Sequence, residues 1–216
     1  NITTAAYNGY INVLEWWFNL YKINEYEFIY TAEAINGASS RGHINVLEWF
    51  VKLSGCELIY DECSVNSASK NGHIHVLEWW RDLCENSGYE FKYNSWAVRF
   101  AAMHGHINVL EWWVNNYPRA FHAIITAQDI VLSCIQEGHL DVLEWMKNNT
   151  SGFGIYFNFD MSLSHKASFH GHVHILEWLN NNNYRFKNSM DACIILASRG
   201  GSTNVLEWLK NLCENT

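Results

Sequence analysis

Apolar residues recur along the chain at fixed distances from a series of regularly spaced glycines. After the glycines, apolar side chains stand at offsets +2, +4, +5 and +8. In the second repeat these residues are Ile44, Val46, Leu47 and Phe50. Because this spacing places the side chains on one stripe of a helix, it predicts an amphipathic α-helix after every glycine. The glycines lie 30 or 33 residues apart, at Gly9, Gly42, Gly72, Gly105, Gly138, Gly171 and Gly201.

A second pattern precedes each glycine. A small side chain, such as Ala38 or Cys134, stands four residues before it, and a residue such as Ile35 or Val131 stands seven before it. The i, i+3 spacing puts both on one helical face, and it predicts a first helix of about eleven residues. The glycine suits the left-handed conformation that often ends a helix. The predicted N-caps are Thr31, Asp61, Asn94 and Asp160.

A tryptophan seven residues after each glycine widens the apolar stripe of the second helix. A lone helix pair cannot bury so wide a stripe, so we expect these indoles to pack in a core between stacked pairs. Each would hide roughly 150–250 Å², which is worth several kcal/mol at about 25 cal/mol per Å². Trp96 lies outside this column and is interpreted as a local packing residue. The column comprises Trp16, Trp49, Trp79, Trp112, Trp145, Trp178 and Trp208.

The connectors between repeats carry alternating aromatic and polar residues. The clearest examples are Tyr26–Tyr30, Cys56–Tyr60 and Tyr89–Tyr93. Alternation predicts an extended stretch with one buried face. Repeat length varies just before this stretch, which indicates surface loops, and Pro118 is predicted to lie in one of them.

The fixed period predicts an all-α solenoid of seven stacked helix pairs joined by extended connectors, in one domain spanning residues 1–216. Ala101–Glu111 ("AAMHGHINVLE") resembles the helix-turn-helix core of the ankyrin repeat, and the 33-residue period is that of the same family. The family's Thr-Pro-Leu-His is replaced, for example by "ECSVN". The Trp-rich and Asn-rich style is similar to divergent ankyrin arrays of large amoeba-infecting DNA viruses, amoebae and some fungi. The resemblance implies a protein-binding module.

The ends of the sequence and its composition lead to further expectations. Asn1 falls inside a first helix and Thr216 just beyond a second one, so we expect a piece of a longer chain. The formal charge is −8 without a Lys/Arg cluster, which disfavours nucleic acid as a partner. No apolar run approaches the length of a membrane span. Six cysteines without metal or disulfide spacing favour a reducing, cytoplasmic location, or the virion or host cytoplasm if the source is viral.

The recurring polar residues could serve chemistry or structure. Histidines directly after the glycines could be metal ligands, but their recurrence favours hydrogen bonds to the backbone. Repeats about 10 Å apart are also too distant for one metal ion with bonds near 2 Å. Exposed glutamates at +6 are interpreted as a solvated face, with local pairs such as Glu48–Lys52 and Glu144–Lys147. No catalytic or nucleotide-binding motif is found, so no enzyme, cofactor, metal or small-molecule substrate is expected.

The two residues before each glycine vary while the rest of the repeat hardly does. In ankyrin arrays such positions point to the concave face, and we expect a partner protein to bind there. Met103 and Phe169 are apolar, as an interface centre or a cover over the seams between repeats would be. Two alternatives stay open: a structural subunit of a larger assembly, and a substrate receptor of a ubiquitin-ligase-type machine. The candidate binding residues are Arg41, Lys70, Asn71, Met103, His104, Gln136, Glu137, Phe169, His170 and Arg199.

Overall fold

A computed structural model describes residues 1–23, 28–53, 56–125, 128–149, 161–182, 184 and 190–214. Within these ranges the protein is all-α, with fifteen helices and no strand. The first helices of the repeats are α1 (Ile2–Tyr7), α3 (Ala32–Arg41), α5 (Glu62–Lys70), α7 (Trp96–Met103), α10 (Gln128–Glu137), α12 (Met161–His170) and α14 (Met190–Gly200). The second helices are α2 (Ile11–Ile23), α4 (Ile44–Lys52), α6 (Ile74–Ser87), α8 (Ile107–Asn116), α11 (Leu140–Asn149), α13 (Val173–Asn181) and α15 (Thr203–Glu214).

The remaining helix, α9 (Pro118–Ile125), corrects the prediction of a loop around Pro118. Proline is favoured at the first position of a helix, where its missing N–H would have no intrahelical partner. Phe121 and Ile125 are buried on one face of α9, so this connector folds as an amphipathic helix. The alternation predicted for the connectors holds at residues 56–60, where buried Leu58 lies between exposed Glu57 and Ile59. Tyr26, Glu27 and Asp160 lie outside the described residues.

The chain divides into two compact units. Unit 1 consists of Asn1–Ala101 and Asn108–Tyr117, and unit 2 of Ala102–Ile107 and Pro118–Thr216. In unit 1, α1 packs on α3 and α3 on α5, and each of these helices also packs on its own second helix. In unit 2, α10 packs on α12 and α12 on α14 in the same manner. This successive packing is that of a helical array, while the single repeat domain stays a prediction.

The repeat glycines end the first helices in the left-handed conformation, as predicted. Gly42 has φ 77° and ψ 20° and directly follows α3. The backbone N–H of the next residue, His43, donates to the Ala38 carbonyl at 2.9 Å and closes the helix end. At the other end of the first helices, Asp61 accepts from Cys63 N–H at 2.8 Å, which confirms it as a cap. Asn94 stands two residues before α7 and accepts from Trp96 N–H at 2.9 Å. Thr31 precedes α3 without a side-chain cap.

At three repeat boundaries, the side chain directly after the glycine bonds to the backbone of the preceding repeat. His73 Nε2 donates to the Ser40 carbonyl at 3.1 Å, and His172 Nε2 donates to the Gln136 carbonyl at 2.8 Å. In the last repeat Ser202 replaces the histidine, and its hydroxyl donates to the equivalent carbonyl, that of Phe169, at 3.1 Å. The predicted backbone-bonding role is therefore confirmed for His73 and His172, with the partner one repeat away.

A second bond across the repeat boundary involves the glycine itself. The residue three positions after one glycine donates to the carbonyl oxygen of the previous glycine. His75 reaches Gly42 at 3.3 Å, and Asn204 reaches Gly171 at 2.8 Å. The glycine carbonyls also accept from the backbone N–H two residues further on, at 3.1 Å from Ile44 to Gly42 and 3.2 Å from Val173 to Gly171, so the next repeat supplies a second donor. We call both kinds of bond the turn-to-turn bonds: those to the carbonyl two residues before a repeat glycine and those to the carbonyl of the glycine itself.

The tryptophan column is only partly in the core, which corrects the sequence prediction. Trp16 is 58 % exposed, and only Trp112 and Trp178 are buried. The position one residue further on supplies the core instead. One residue corresponds to a rotation of about 100° around a helix, so only one of two neighbours can face directly inward. The buried residues at +8 are Phe50, Trp80, Trp113, Met146, Leu179 and Leu209.

The half-buried tryptophans lie at seams. The Trp49 ring centroid lies 6.0 Å from those of Phe18 and Phe28, in the preceding helix and connector. Trp145 lies edge-on to Phe121 of α9 at 6.0 Å. Edge-to-face packing at this separation is favourable and leaves one side of the indole in water. Trp49 and Trp145 therefore close gaps between neighbouring elements rather than filling the centre of the core.

The first helices bury their predicted small residues completely or nearly so. Ala38 and Cys134 are fully buried, and so are Val98 and Val131 seven residues before their glycines. Ile194 in α14 is an exception, because it is exposed. The small residues allow the first helices to approach each other closely.

Buried serines on the first helices accept hydrogen bonds from core tryptophans. Trp80 Nε1 donates to Ser39 Oγ at 3.2 Å, and Trp113 Nε1 donates to Ser69 Oγ at 3.2 Å. Ser168 occupies the same repeat position, but the facing +8 residue is Leu209, which has no donor. Its hydroxyl is accordingly buried with no hydrogen-bond partner among the described residues.

Exchanging a repeat glycine for alanine tests the turn-to-turn packing. A methyl group at Gly138 would come within 2.8 Å of the His172 ring, whereas one at Gly201 meets nothing within 4 Å. Both glycines have positive φ, so both variants bear about 1–2 kcal/mol of left-handed strain. We expect Gly138→Ala to lower the free energy of unfolding by about 1–3 kcal/mol more than Gly201→Ala. Urea denaturation measures the difference, and equal losses would show that the imidazole contact is unimportant.

The two classes of serine should respond oppositely to alanine substitution. Ser39→Ala leaves the Trp80 indole N–H buried without an acceptor, and we expect it to destabilise the chain by about 1–3 kcal/mol. Ser168→Ala removes a hydroxyl that already lacks a partner, so it should be neutral or stabilising by up to about 1 kcal/mol. The urea denaturation midpoints of the two variants and the unsubstituted chain, measured under the same conditions, test this prediction. Similar destabilisation by both variants would contradict the assignment.

Candidate protein-binding surface

The candidate surface lies where the first helices end, at the two residues before each repeat glycine. We call these residues the variable row. Every member is exposed or half-buried, and none is buried. Their backbone is nevertheless held, because the carbonyls of Ser40, Gln136 and Phe169 accept the turn-to-turn bonds. The row therefore combines a constrained backbone with side chains that are available to a partner.

In unit 1 the row carries cations that lie over aromatic rings. The guanidinium carbon of Arg41 is 4.5 Å from the centroid of the Tyr7 ring, and Lys70 Nζ is 5.3 Å from that of Phe100. Asn71 donates from Nδ2 to the Ser40 hydroxyl at 3.2 Å, which links the ends of α5 and α3. Cation–π contacts of this kind hold a charged side chain in place without neutralising it.

In unit 2 the row is chemically mixed. Gln136 Nε2 donates to Glu137 Oε1 at 3.2 Å, and Phe169 is 41 % exposed, with its ring edge-on to His170. Met103 is half-buried, and His104 and Arg199 are exposed. Exposed apolar groups beside polar ones are typical of interface centres.

Gly200 belongs to the variable row but is not free to vary. A Cβ atom there would lie 1.9 Å from the Phe169 carbonyl oxygen. A helix backbone can approach another this closely only where no side chain intervenes. The residue is therefore required by the packing of α14 on α12, and this requirement corrects its interpretation as a surface variation.

Burial lowers the pKa of the His170 imidazole. The largest cause is desolvation, followed by the charge of Lys166 and the neighbouring His172, while Glu137 opposes the shift. The rings of His170 and His172 lie nearly parallel, with centroids 6.3 Å apart. Protonation of His170 thus places a second cation beside Lys166 in a partly desolvated position.

The histidines do not converge on a metal site. Nε2 of His172 and of His174 donate to the carbonyls of Gln136 and Gly138, at 2.8 and 3.0 Å. Across the described ranges, no group of three His, Cys, Asp or Glu side chains is arranged to hold a metal ion. Cys134 is buried as predicted, its thiol donates to the Ala102 carbonyl at 3.4 Å, and burial raises its pKa to about 12. A thiol with so high a pKa is a poor nucleophile.

The glutamates at +6 are all exposed, as expected of a solvated face. The predicted Glu48–Lys52 pair is present at 3.1 Å. The predicted Glu144–Lys147 pair is wrong, because Lys147 donates instead to Asn182 and lies 5.7 Å from the Trp178 ring centroid. In the described part of the chain, no helix has the length and apolarity of a membrane span.

Sequence reasoning missed one feature of the first helices. Trp96, interpreted as a local packing residue, is 48 % exposed and stacks on Phe100 with ring centroids 5.0 Å apart. Arg99 lies 6.0 Å from the Trp96 ring centroid. The available signal was the i, i+4 spacing of two aromatics on a helix whose apolar face is supplied by other residues.

Comparison with known proteins does not identify the chain: no family model matches it, and a search of curated proteins found no match.

The depressed pKa of His170 predicts acid sensitivity of the protein. The folded pKa lies below the ordinary value of 6.5, so the unfolded chain binds the proton more tightly. Stability is therefore greatest above that value and falls as the pH is lowered through it. We expect His170→Gln and Lys166→Gln each to reduce the loss in thermal midpoint between about pH 7.5 and pH 5.5. Thermal unfolding followed by circular dichroism at both pH values measures the loss in midpoint. An undiminished loss in both variants would contradict the assignment of the acid sensitivity to His170.

Proposed function

We propose that the chain is a non-catalytic protein-interaction module of the ankyrin type, which binds a partner protein on the surface of its first helices. The repeated unit of helix, left-handed glycine and helix supports this type, as does the successive packing of first helices within each unit. Such arrays use an extended surface of stacked elements for recognition.

The variable row is the observation that carries the proposal. Its side chains change from repeat to repeat, although the carbonyls of the same segments accept bonds from the next repeat. A purely structural segment would have no reason to display the apolar ring of Phe169 to solvent. Exposed apolar and cationic groups on a constrained backbone are suited to binding, because little conformational entropy is lost on association.

Affinity capture with row variants tests the proposal. We expect Met103→Asp with Phe169→Asp, or Arg41→Glu with Lys70→Glu, to reduce capture of the partner at least tenfold, or about 1.4 kcal/mol. Lys52→Glu with Lys210→Glu is the matched control, since it reverses two exposed charges on second helices. The immobilised full chain is exposed to cell lysate, bound proteins are quantified by mass spectrometry, and far-UV circular dichroism verifies helicity. If every captured protein binds the row variants as well as the control, the row is not the interface.

A further inference from the structure

Unit 1 carries a continuous surface of alternating cations and aromatic rings on its first helices. We define the cation–aromatic row as Tyr7, Arg41, Lys70, Trp96, Arg99 and Phe100. Each of its three cations lies over a ring, at 4.5, 5.3 and 6.0 Å from the centroid. The stacked pair Trp96–Phe100 and the bond from Asn71 to Ser40 connect the contacts along α3, α5 and α7.

Four of the six residues in this row are exposed, and Arg99 and Phe100 are half-buried. Arg41 and Lys70 are exposed, and Tyr7 and Trp96 are 39 % and 48 % exposed. Arg41 forms no ion pair within the described residues, and its guanidinium lies over the Tyr7 ring. A stacked guanidinium offers its N–H edge to a carboxylate while its face stays on the aromatic ring.

Compensation of the helix dipole accounts for only part of this arrangement. Glu33 and Glu62 stand in the first turns of α3 and α5, and Arg41 and Lys70 in their last turns, as the dipole favours. Arg99, however, lies in the middle of α7, and the dipole gives no reason for exposed rings beneath the cations. Each glutamate is also distant from the cation of its own helix. At 1.5 Å per residue, the eight-residue separation between Glu33 and Arg41, or between Glu62 and Lys70, corresponds to about 12 Å.

The size of the row favours a peptide over a nucleic acid. A nucleic acid presents a phosphate at every nucleotide, and its affinity rests on many cationic contacts, commonly about six to ten. This row offers three cations, which is fewer than a nucleic-acid strand commonly requires. A peptide can place carboxylates at the cations alone and apolar side chains on the rings.

We propose that the cation–aromatic row binds an acidic, partly apolar segment of the partner protein in an extended conformation. Carboxylates meet Arg41, Lys70 and Arg99, and an apolar side chain packs on the Trp96–Phe100 pair. Packed helices are about 8–10 Å apart and an extended chain rises about 3.3 Å per residue, so the carboxylates recur at about every third residue. This inference rests on the proposed function, since it names the partner chemistry for the unit 1 part of the variable row.

The test uses the purified full chain and a fluorescein-labelled peptide of about twelve residues, with glutamate at every third position and leucine and glycine between. A second peptide has the same composition with its glutamates grouped at one end. We expect fluorescence anisotropy to show at least fivefold tighter binding of the spaced peptide, weakened by 0.5 M salt through screening. Arg41→Gln, Arg99→Gln and Trp96→Ala should each weaken binding about threefold to tenfold. Arg41→Lys should retain part of the affinity, because it keeps the charge.

Lys52→Gln is the matched control, since it removes one exposed cation from a second helix of the same unit. The inference is overturned if Lys52→Gln weakens binding as much as Arg41→Gln, or if the two peptides bind equally. Displacement of the spaced peptide by an equal concentration of twelve-nucleotide oligothymidine would overturn it in favour of nucleic acid. If neither peptide binds while Met103→Asp with Phe169→Asp still abolishes partner capture, this inference fails and the proposed function stands.

Discussion

The bond from one repeat into the helix end of the preceding repeat is the interaction on which the array depends. A helix that stops at a left-handed glycine leaves carbonyl groups without intrahelical partners. His73 and His75 supply donors to the carbonyls of Ser40 and Gly42, one repeat away. The glycine has two roles: it adopts the left-handed conformation, and its lack of a side chain leaves room for the imidazole ring of the next repeat. The ends of α3, α10 and α12 are thus completed by the next repeat, as expected where single repeats cannot form a core of their own.

In this arrangement the backbone and the side chain of one residue have different roles. The carbonyl two residues before the glycine is held by the next repeat, whatever side chain that residue carries. Ser40, Gln136 and Phe169 are chemically unlike, yet their carbonyls accept equivalent bonds. Ser202 even replaces the histidine donor without changing the bond. A position whose backbone is fixed independently of its side chain can acquire binding chemistry at little cost in stability.

The sequence was sufficient to predict the helix pairs, the glycine turns and the buried small residues, because all three are local and repeat at fixed spacing. It could not show whether the residue at +7 or the residue at +8 lies in the core. A wide apolar stripe does not fix the rotation of a helix about its axis to within one residue. Trp49 and Phe50 are both apolar, and only the position of the neighbouring repeat makes Phe50 the buried one. The helix at Pro118 was missed because a proline predicts a turn and the first position of a helix equally well. The partners of the histidines were also beyond reach, since the pattern shows that a role recurs and not which carbonyl satisfies it.

The same distinction explains why the candidate surface was predicted only in part. Comparing repeats by column isolates the residues before each glycine, and that comparison finds Arg41 and Lys70. It separates them from Trp96 and Phe100, which stand at other offsets and contact the row only because α5 and α7 bring Lys70 over the Phe100 ring. A binding surface on stacked helices runs across the repeats, whereas sequence periodicity is measured along them. Its chemistry therefore emerges from the contacts between neighbouring helices, and the aromatic rings under the cations of unit 1 could be recognised only once those contacts were known.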